Sequence, residues 1–171
     1  MGWTSIYSNL NNKEFVKHYL TDPHVIDTAI VGNEVYQLAM TGDKQNLYIR
    51  VTILSRKDGQ VFYKDMDESC GPFYYKCPSR ILNRSTQNDP RSIEWRGICR
   101  EQARLKKEKN TLKDQIKALA KGSRVEMVSG RVVVFEFPHN RARFAGRLAD
   151  VAPGKQNSLF AWSYKDVAKI L

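Results

Sequence analysis

Long apolar runs and cysteine are both scarce in this 171-residue chain. No stretch approaches the ~20 consecutive apolar residues that a membrane-spanning helix needs, so a span is not expected. The opening Met1-Gly2-Trp3-Thr4-Ser5-Ile6 lacks a basic segment followed by an apolar one, which argues against a secretory leader. Ile6 also stands where myristoylation favours Ser or Thr, arguing against a lipid anchor. Three cysteines, Cys70, Cys77 and Cys99, are an odd and sparse set, which suits a reducing cytoplasm better than a disulfide framework. A structural zinc site wants four ligands at short spacing. Six residues separate Cys70 from Cys77, and His18, His24 and His139 are scattered. Free, inert thiols are the expectation, with no metal and no cofactor.

Acidic residues are also in deficit. The chain carries 28 Lys and Arg against 18 Asp and Glu, a net charge of +10. The excess is local: residues 1–78 sum to −1, residues 79–124 to +8 and residues 125–171 to +3. Such a gradient is a footprint for an anionic partner rather than a uniform solubility coat. Against these absences stands ample core material, 42% hydrophobic residues with 8 Tyr, 7 Phe and 3 Trp. That excludes a disordered chain.

The apolar pattern predicts an α+β fold in three segments. Residues 1–89 read as a small antiparallel sheet with short helices. A helix capped by Asn11 or Asn12 runs to about Leu20 and is stopped by Asp22-Pro23. Strands follow at Val25–Val31, Val35–Met40 and Leu47–Leu54. Asp58-Gly59 turns the chain into Val61–Tyr63, and a short helix lies at Ser79–Leu82. Residues 90–121 read as one long basic helix that begins at Pro90 and is stopped by Gly122. From Ser123 a small β unit is expected, with strands Arg124–Val128, Val132–Phe137, Phe144–Val151 and Leu159–Trp162 closing a barrel-like unit. Tyr164–Leu171 is read as a terminal helix. No internal repeat and no low-complexity tract is visible.

Within the long helix Ile98, Leu105, Leu112 and Leu119 recur every seven residues. Trp95, Gln102, Lys109 and Ile116 then fall at a, with Glu94, Glu101 and Glu108 at g and Lys106 and Lys113 at e. This is the pairing pattern of a parallel two-stranded coiled coil, which makes a homodimer through Trp95, Ile98, Leu105, Leu112, Ile116 and Leu119 one expectation. The equally weighted alternative packs the same stripe on the helix's own domain. Trp95, flanked by Ile93 and Ile98, is read as an anchor of the helix to the sheet.

The pattern Tyr63-Lys64-Asp65-Met66-Asp67-Glu68, Gly71-Pro72, Cys77-Pro78, Ile81-Leu82, Trp95-Arg96 and Cys99-Arg100 runs through most of the chain. With Gly2-Trp3-Thr4 it resembles an uncharacterised family of small proteins carried by phages and conjugative plasmids. The helix after Arg100 is longer and more basic than that family's usual pattern. The resemblance implies an accessory role on a mobile element: acting on nucleic acid, or blocking a host defence complex as an anti-CRISPR does.

Two basic patches are candidate binding sites. Arg96, Arg100, Arg104 and Lys107 form one helical stripe, placed to meet phosphates. His139, Arg141, Arg143 and Arg147 surround Phe144 at the tip of a predicted hairpin, with Phe144 turned to the core. Nothing in either patch reads base identity. Asp65, Asp67 and Glu68 are the candidate set for a competing reading, a metal-dependent nuclease. The favoured reading makes them loop-bracing groups, with Asp65 pairing to Arg96 or Arg100. A third reading is an assembly protein joined by its coil. The leading expectation is a non-enzymatic cytoplasmic protein whose partner is nucleic acid or a nucleoprotein defence complex.

Overall fold

The computed structural model describes residues 2–152 and 155–171. They divide into two compact units, Met1–Ala103 and Arg104–Leu171. The division falls inside the long helix, which therefore supplies one part to each unit.

The first unit is a five-stranded antiparallel sheet of order β1-β5-β4-β3-β2. Its strands are β1 (Thr4–Tyr7), β2 (Val25–Val31), β3 (Glu34–Met40), β4 (Leu47–Lys57) and β5 (Gln60–Asp67). Asp58 and Gly59 both sit at positive φ, 52° and 75°. That conformation matches the right-handed twist of the flanking strands and sets the β4–β5 register, Lys57 opposite Gln60. Helix α1 (Asn12–Tyr19) starts in a reciprocal cap. The Glu14 amide donates to Asn11 Oδ1 at 3.0 Å and the Asn11 amide donates to Glu14 Oε2 at 3.1 Å. Its Phe15 and Val16 pack with Val35, Leu54 and Val61 on one face of the sheet. The other face carries Tyr36, Leu38, Ile49, Val51 and Ile53, covered by Ile81 and Leu82 of α2 (Ser79–Leu82) and by Trp95 and Cys99 of α3 (Pro90–Lys117). With both faces buried, every residue of β3 from Glu34 to Ala39 is buried, which explains its loss of strict alternation.

The second unit lays the C-terminal part of α3 on another five-stranded antiparallel sheet. Its order is β10-β6-β7-β8-β9, from β6 (Arg124–Met127), β7 (Val132–Pro138), β8 (Arg143–Leu148), β9 (Phe160–Ser163) and β10 (Val167–Ile170). Ile116 is the helix's fully buried residue here, with Leu112 and Leu119 half-buried beside it. They pack against Val125, Val133, Phe135, Phe144, Tyr164 and Val167. Two expectations are corrected. The sheet is open, ending at β9 and β10 rather than closing as a barrel. The expected terminal helix is instead a 3-10 turn at Tyr164–Asp166 followed by β10, because pairing with β6 recruits Val167–Ile170. The edge strand β1, paired to β5, was not anticipated.

Tight packing in the second unit converges on Gly146. A β-carbon there would lie 2.6 Å from Val133 Cγ1 and 2.8 Å from the Val134 carbonyl oxygen. Its own carbonyl accepts from Trp162 Nε1 at 3.0 Å. Overpacking a filled core costs about 1–3 kcal/mol. Gly146→Ala should therefore lower the unfolding free energy from a urea titration by that amount, whereas Gly97→Ala, with open space around its α-carbon, should not.

Candidate nucleic-acid interface

Charge is divided between the units far more unevenly than mass. The first unit has 13 Lys and Arg against 12 Asp and Glu; the second, 68 residues long, has 15 against 6. Nearly the whole excess of +10 therefore belongs to the second unit.

The predicted helical stripe is only partly available. Arg96 is buried, 7% exposed, and is consumed by the fold of the first unit. Its Nη1 donates to Glu68 Oε2 at 2.5 Å and to Ser85 Oγ at 2.8 Å, and its Nη2 donates to the Gln87 carbonyl. Arg96 is thus removed from the phosphate-binding set, and its acidic partner is Glu68 rather than Asp65. Arg104 is exposed but pairs with Glu108 one turn on, at 2.6 Å. Arg100 and Lys107 are exposed. Every residue from Glu101 to Asn110 is exposed, so this stretch of α3 presents charge on all sides.

A second stripe, not anticipated from the sequence, is better placed. Lys106, Lys109 and Lys113 are spaced i, i+3 and i+7 and so share one side of the helix. Lys106 and Lys109 are exposed, and the Lys113 ammonium stands 5.8 Å from the centre of the Tyr164 ring. The Tyr164 amide in turn donates to the Ala142 carbonyl at 3.1 Å. Ala142 lies in the β7–β8 turn between Arg141 and Arg143, so the helical stripe and the hairpin tip adjoin.

That tip is pre-shaped. Asn140 Oδ1 accepts from the Ala142 amide at 2.8 Å and the Arg143 amide at 2.9 Å, while the Arg143 carbonyl accepts from the His139 and Asn140 amides. His139, Arg141 and Arg143 are exposed, while Phe144 is fully buried as expected. Arg147 is corrected. It lies half-buried, bound to Glu136 at 3.3 Å and to the Asn157 carbonyl, and does not join the patch. Lys121 and Arg147 together hold the Glu136 carboxyl below its ordinary range, the Lys121 hydrogen bond contributing most.

The carboxylates of the nuclease reading do not converge. Strand β5 runs through to Asp67, which sets Asp65 and Asp67 on one side of the sheet, opposite Thr52 and Arg50. Thr52 Oγ1 donates to Asp65 and Ser69 Oγ donates to Asp67. Glu68 is fully buried, accepting from the Ile49 amide at 2.9 Å, from Ser85 Oγ and from Arg96. Burial pushes its carboxyl up, and those three donors pull against the shift. Among the described residues no group of three or more His, Cys, Asp or Glu is placed to hold a metal ion. Cys77 and Cys99 are buried free thiols; burial raises both, Cys99 to about 12, which leaves them unreactive. Cys70 is exposed.

The two ends of the Leu stripe pack inside the chain. Trp95 is 2% exposed and donates from Nε1 to the Tyr74 carbonyl at 3.1 Å, while Leu112, Ile116 and Leu119 join the core of the second unit. Ile98 is half-buried and Leu105 is 37% exposed. Trp95, Leu112, Ile116 and Leu119 therefore pack within the chain, as the internal alternative expects, while Ile98 and Leu105 keep part of their surface exposed.

Breaking a buried pair by removing one partner typically costs about 3–5 kcal/mol, since a buried charge is left uncompensated. Arg96→Met should destabilise the protein by that order in equilibrium unfolding. A carboxyl whose folded pKa is raised favours folding at low pH and loses that contribution as pH rises through the folded value. The deficit of Arg96→Met should therefore be smaller at pH 5 than at pH 8, and a deficit independent of pH would contradict the role given to Glu68. Comparison of the chain with protein-family models, curated proteins and solved structures finds no match.

Proposed function

We propose that the second unit binds the phosphate backbone of nucleic acid without reading its sequence. Lys106, Lys109 and Lys113 of α3 and Arg141 and Arg143 of the β7–β8 tip form the contact set. The observation that carries this reading is that Lys113 stands over the Tyr164 ring while the Tyr164 amide binds the backbone of the turn that carries Arg141 and Arg143, within a unit holding 15 basic and 6 acidic residues. Lys107 and His139, exposed on the same unit, widen the field. Each cation that neutralises a phosphate releases condensed counterions, so binding is strong at low salt and falls steeply as salt rises.

The biological setting rests on the resemblance to phage- and plasmid-borne proteins. In that setting the protein is a non-enzymatic cytoplasmic accessory of a mobile element. It covers nucleic acid, or occupies the nucleic-acid path of a host defence complex as an anti-CRISPR does, and charge complementarity steers the encounter. A chain this basic does not imitate DNA; it opposes phosphates or an acidic protein face.

Replacing Lys106, Lys109, Lys113, Arg141 and Arg143 by Gln should abolish most binding to a 30-base-pair duplex in a fluorescence anisotropy titration. If all five contact phosphates, the slope of log K against log salt should flatten by about 4.5 units, at about 0.9 per phosphate. Lys13, Lys44 and Lys57, exposed on the first unit, are the control set, and their Gln variants should change the slope little. Losses from the two sets in proportion to the charges removed, five against three, would mean that net charge alone is acting.

A further inference from the structure

The two sheets expose four edge strands, and one of them differs from the rest. β1, β9 and β10 are four residues each, whereas β2 has seven. Its sequence, Val25-Ile26-Asp27-Thr28-Ala29-Ile30-Val31, contains no proline, glycine or lysine of the kind that blunts an edge, and its one register irregularity, between Val25 and Asp27, leaves Thr28–Val31 in regular pairing with β3. In an antiparallel ladder every second residue turns its N–H and C=O away from the partner strand. Thr28 is one of these, since its carbonyl accepts from Arg80 Nη2 at 2.8 Å and is thereby already engaged. The Thr28 N–H and, two residues on, the N–H and C=O of Ile30 lie along the same edge.

A trough of about 710 Å³ runs beside this edge. Val16 and Leu20 of α1 form one wall, Pro78 and Arg80 at the start of α2 form the other, and β2 supplies the floor. Because helices flank both sides, the space corresponds to one further strand, at the ~4.8 Å spacing of a sheet. An extended polypeptide can match the outward N–H and C=O groups, which a nucleic-acid backbone, without peptide groups, cannot.

Charge selects the peptide. Lys13 and Lys17 stand one turn apart on the α1 rim of the trough, exposed and without an ion-pair partner among the described residues. The acids nearby are already engaged: Asp22 with Arg50 at 3.1 Å, and Asp27 with both Arg80 and Arg84. The unneutralised rim is positive. A second copy of this chain would bring the same lysines into its own seam, which is unfavourable. We infer that the β2 edge is a docking site for an extended segment of a partner protein, apolar at its centre and acidic at its flanks. That segment adds to the sheet as a sixth strand, with its carboxylates against Lys13 and Lys17.

The test is a titration of the full ¹⁵N-labelled chain with a synthetic heptapeptide of alternating Val and Thr ended by Glu at both termini. A second peptide carries Lys in place of each Glu. The Thr28 and Ile30 amides should shift and become protected from hydrogen exchange. The Lys-ended peptide, and the Lys13→Glu/Lys17→Glu variant with the Glu-ended peptide, should bind about tenfold more weakly, as expected for two exposed ion pairs lost. Both lysines are exposed, so the variant's circular dichroism should be unchanged. No change at β2 with millimolar peptide would overturn the proposal, as would equal affinity for the two peptides. Protection of the same amides without peptide, rising with protein concentration, would also overturn it, by assigning the edge to a second copy.

Discussion

The buried pair between Glu68 and Arg96 organises the first unit. Glu68 stands where β5 has just ended, and its carboxylate accepts from the Ile49 amide in β4 and from Ser85 in the loop before α3. Arg96 brings the helix to that point and ties down the Gln87 carbonyl as well. Sheet, loop and helix thus share one node of charge-assisted hydrogen bonds. Such a node is costly to desolvate and costlier to half-remove, so it specifies an arrangement more than it adds net stability. Trp95, one residue before Arg96, can then fill the core between helix and sheet only in the orientation the pair allows. Asp89 starts the helix by accepting from the Ser92 amide at 2.9 Å, which places Arg96 in its second turn.

Fixing the first turns of α3 in one unit and the last turns in another leaves the middle of the helix with no core to face. From Glu101 to Asn110 the chain is exposed all round, and Lys, Arg and Glu side chains are the residues that tolerate this. The same solvation that a naked helix requires gives the second unit its field. Helix and hairpin then divide the work. The helix supplies regularly spaced ammonium groups, and the Asn140-braced turn supplies guanidinium groups on a rigid frame. On the proposed reading, a phosphate-binding site assembled from two elements of one small unit needs no base-reading contacts to be strong. It also leaves the first unit, almost neutral, free to meet a different kind of partner.

Much of the fold was legible in the sequence. β2 was bounded to the residue, a short helix was placed around α2, and Asp58-Gly59 fixed a hairpin, because these elements are set by local chemistry: alternation, caps and positive φ. The elements that escaped depend on distant pairing. β1 is four residues of weak pattern that become a strand only beside β5. Val167–Ile170 contains Ala and Lys, which read as helix until β6 claims them. The heptads left two packings open for a related reason. A seven-residue repeat drifts by about 20° per heptad on a straight helix, so a stripe continuous in sequence need not be one continuous face. That drift, with two separate cores along one helix, hid the Lys106, Lys109 and Lys113 side. Lys106 and Lys113 had been assigned to interchain pairs. Arg96 carried no local sign of burial, since its partner lies 28 residues away.

Lysine footprinting tests the central claim most directly. The full chain is acetylated with a water-soluble reagent, alone and with saturating duplex DNA or RNA at low salt, and each site is quantified by mass spectrometry. The account predicts that Lys106, Lys109 and Lys113 lose reactivity on binding while Lys44 and Lys57, exposed on the first unit, keep theirs. Uniform protection of lysines in both units, or protection confined to the first, would contradict it.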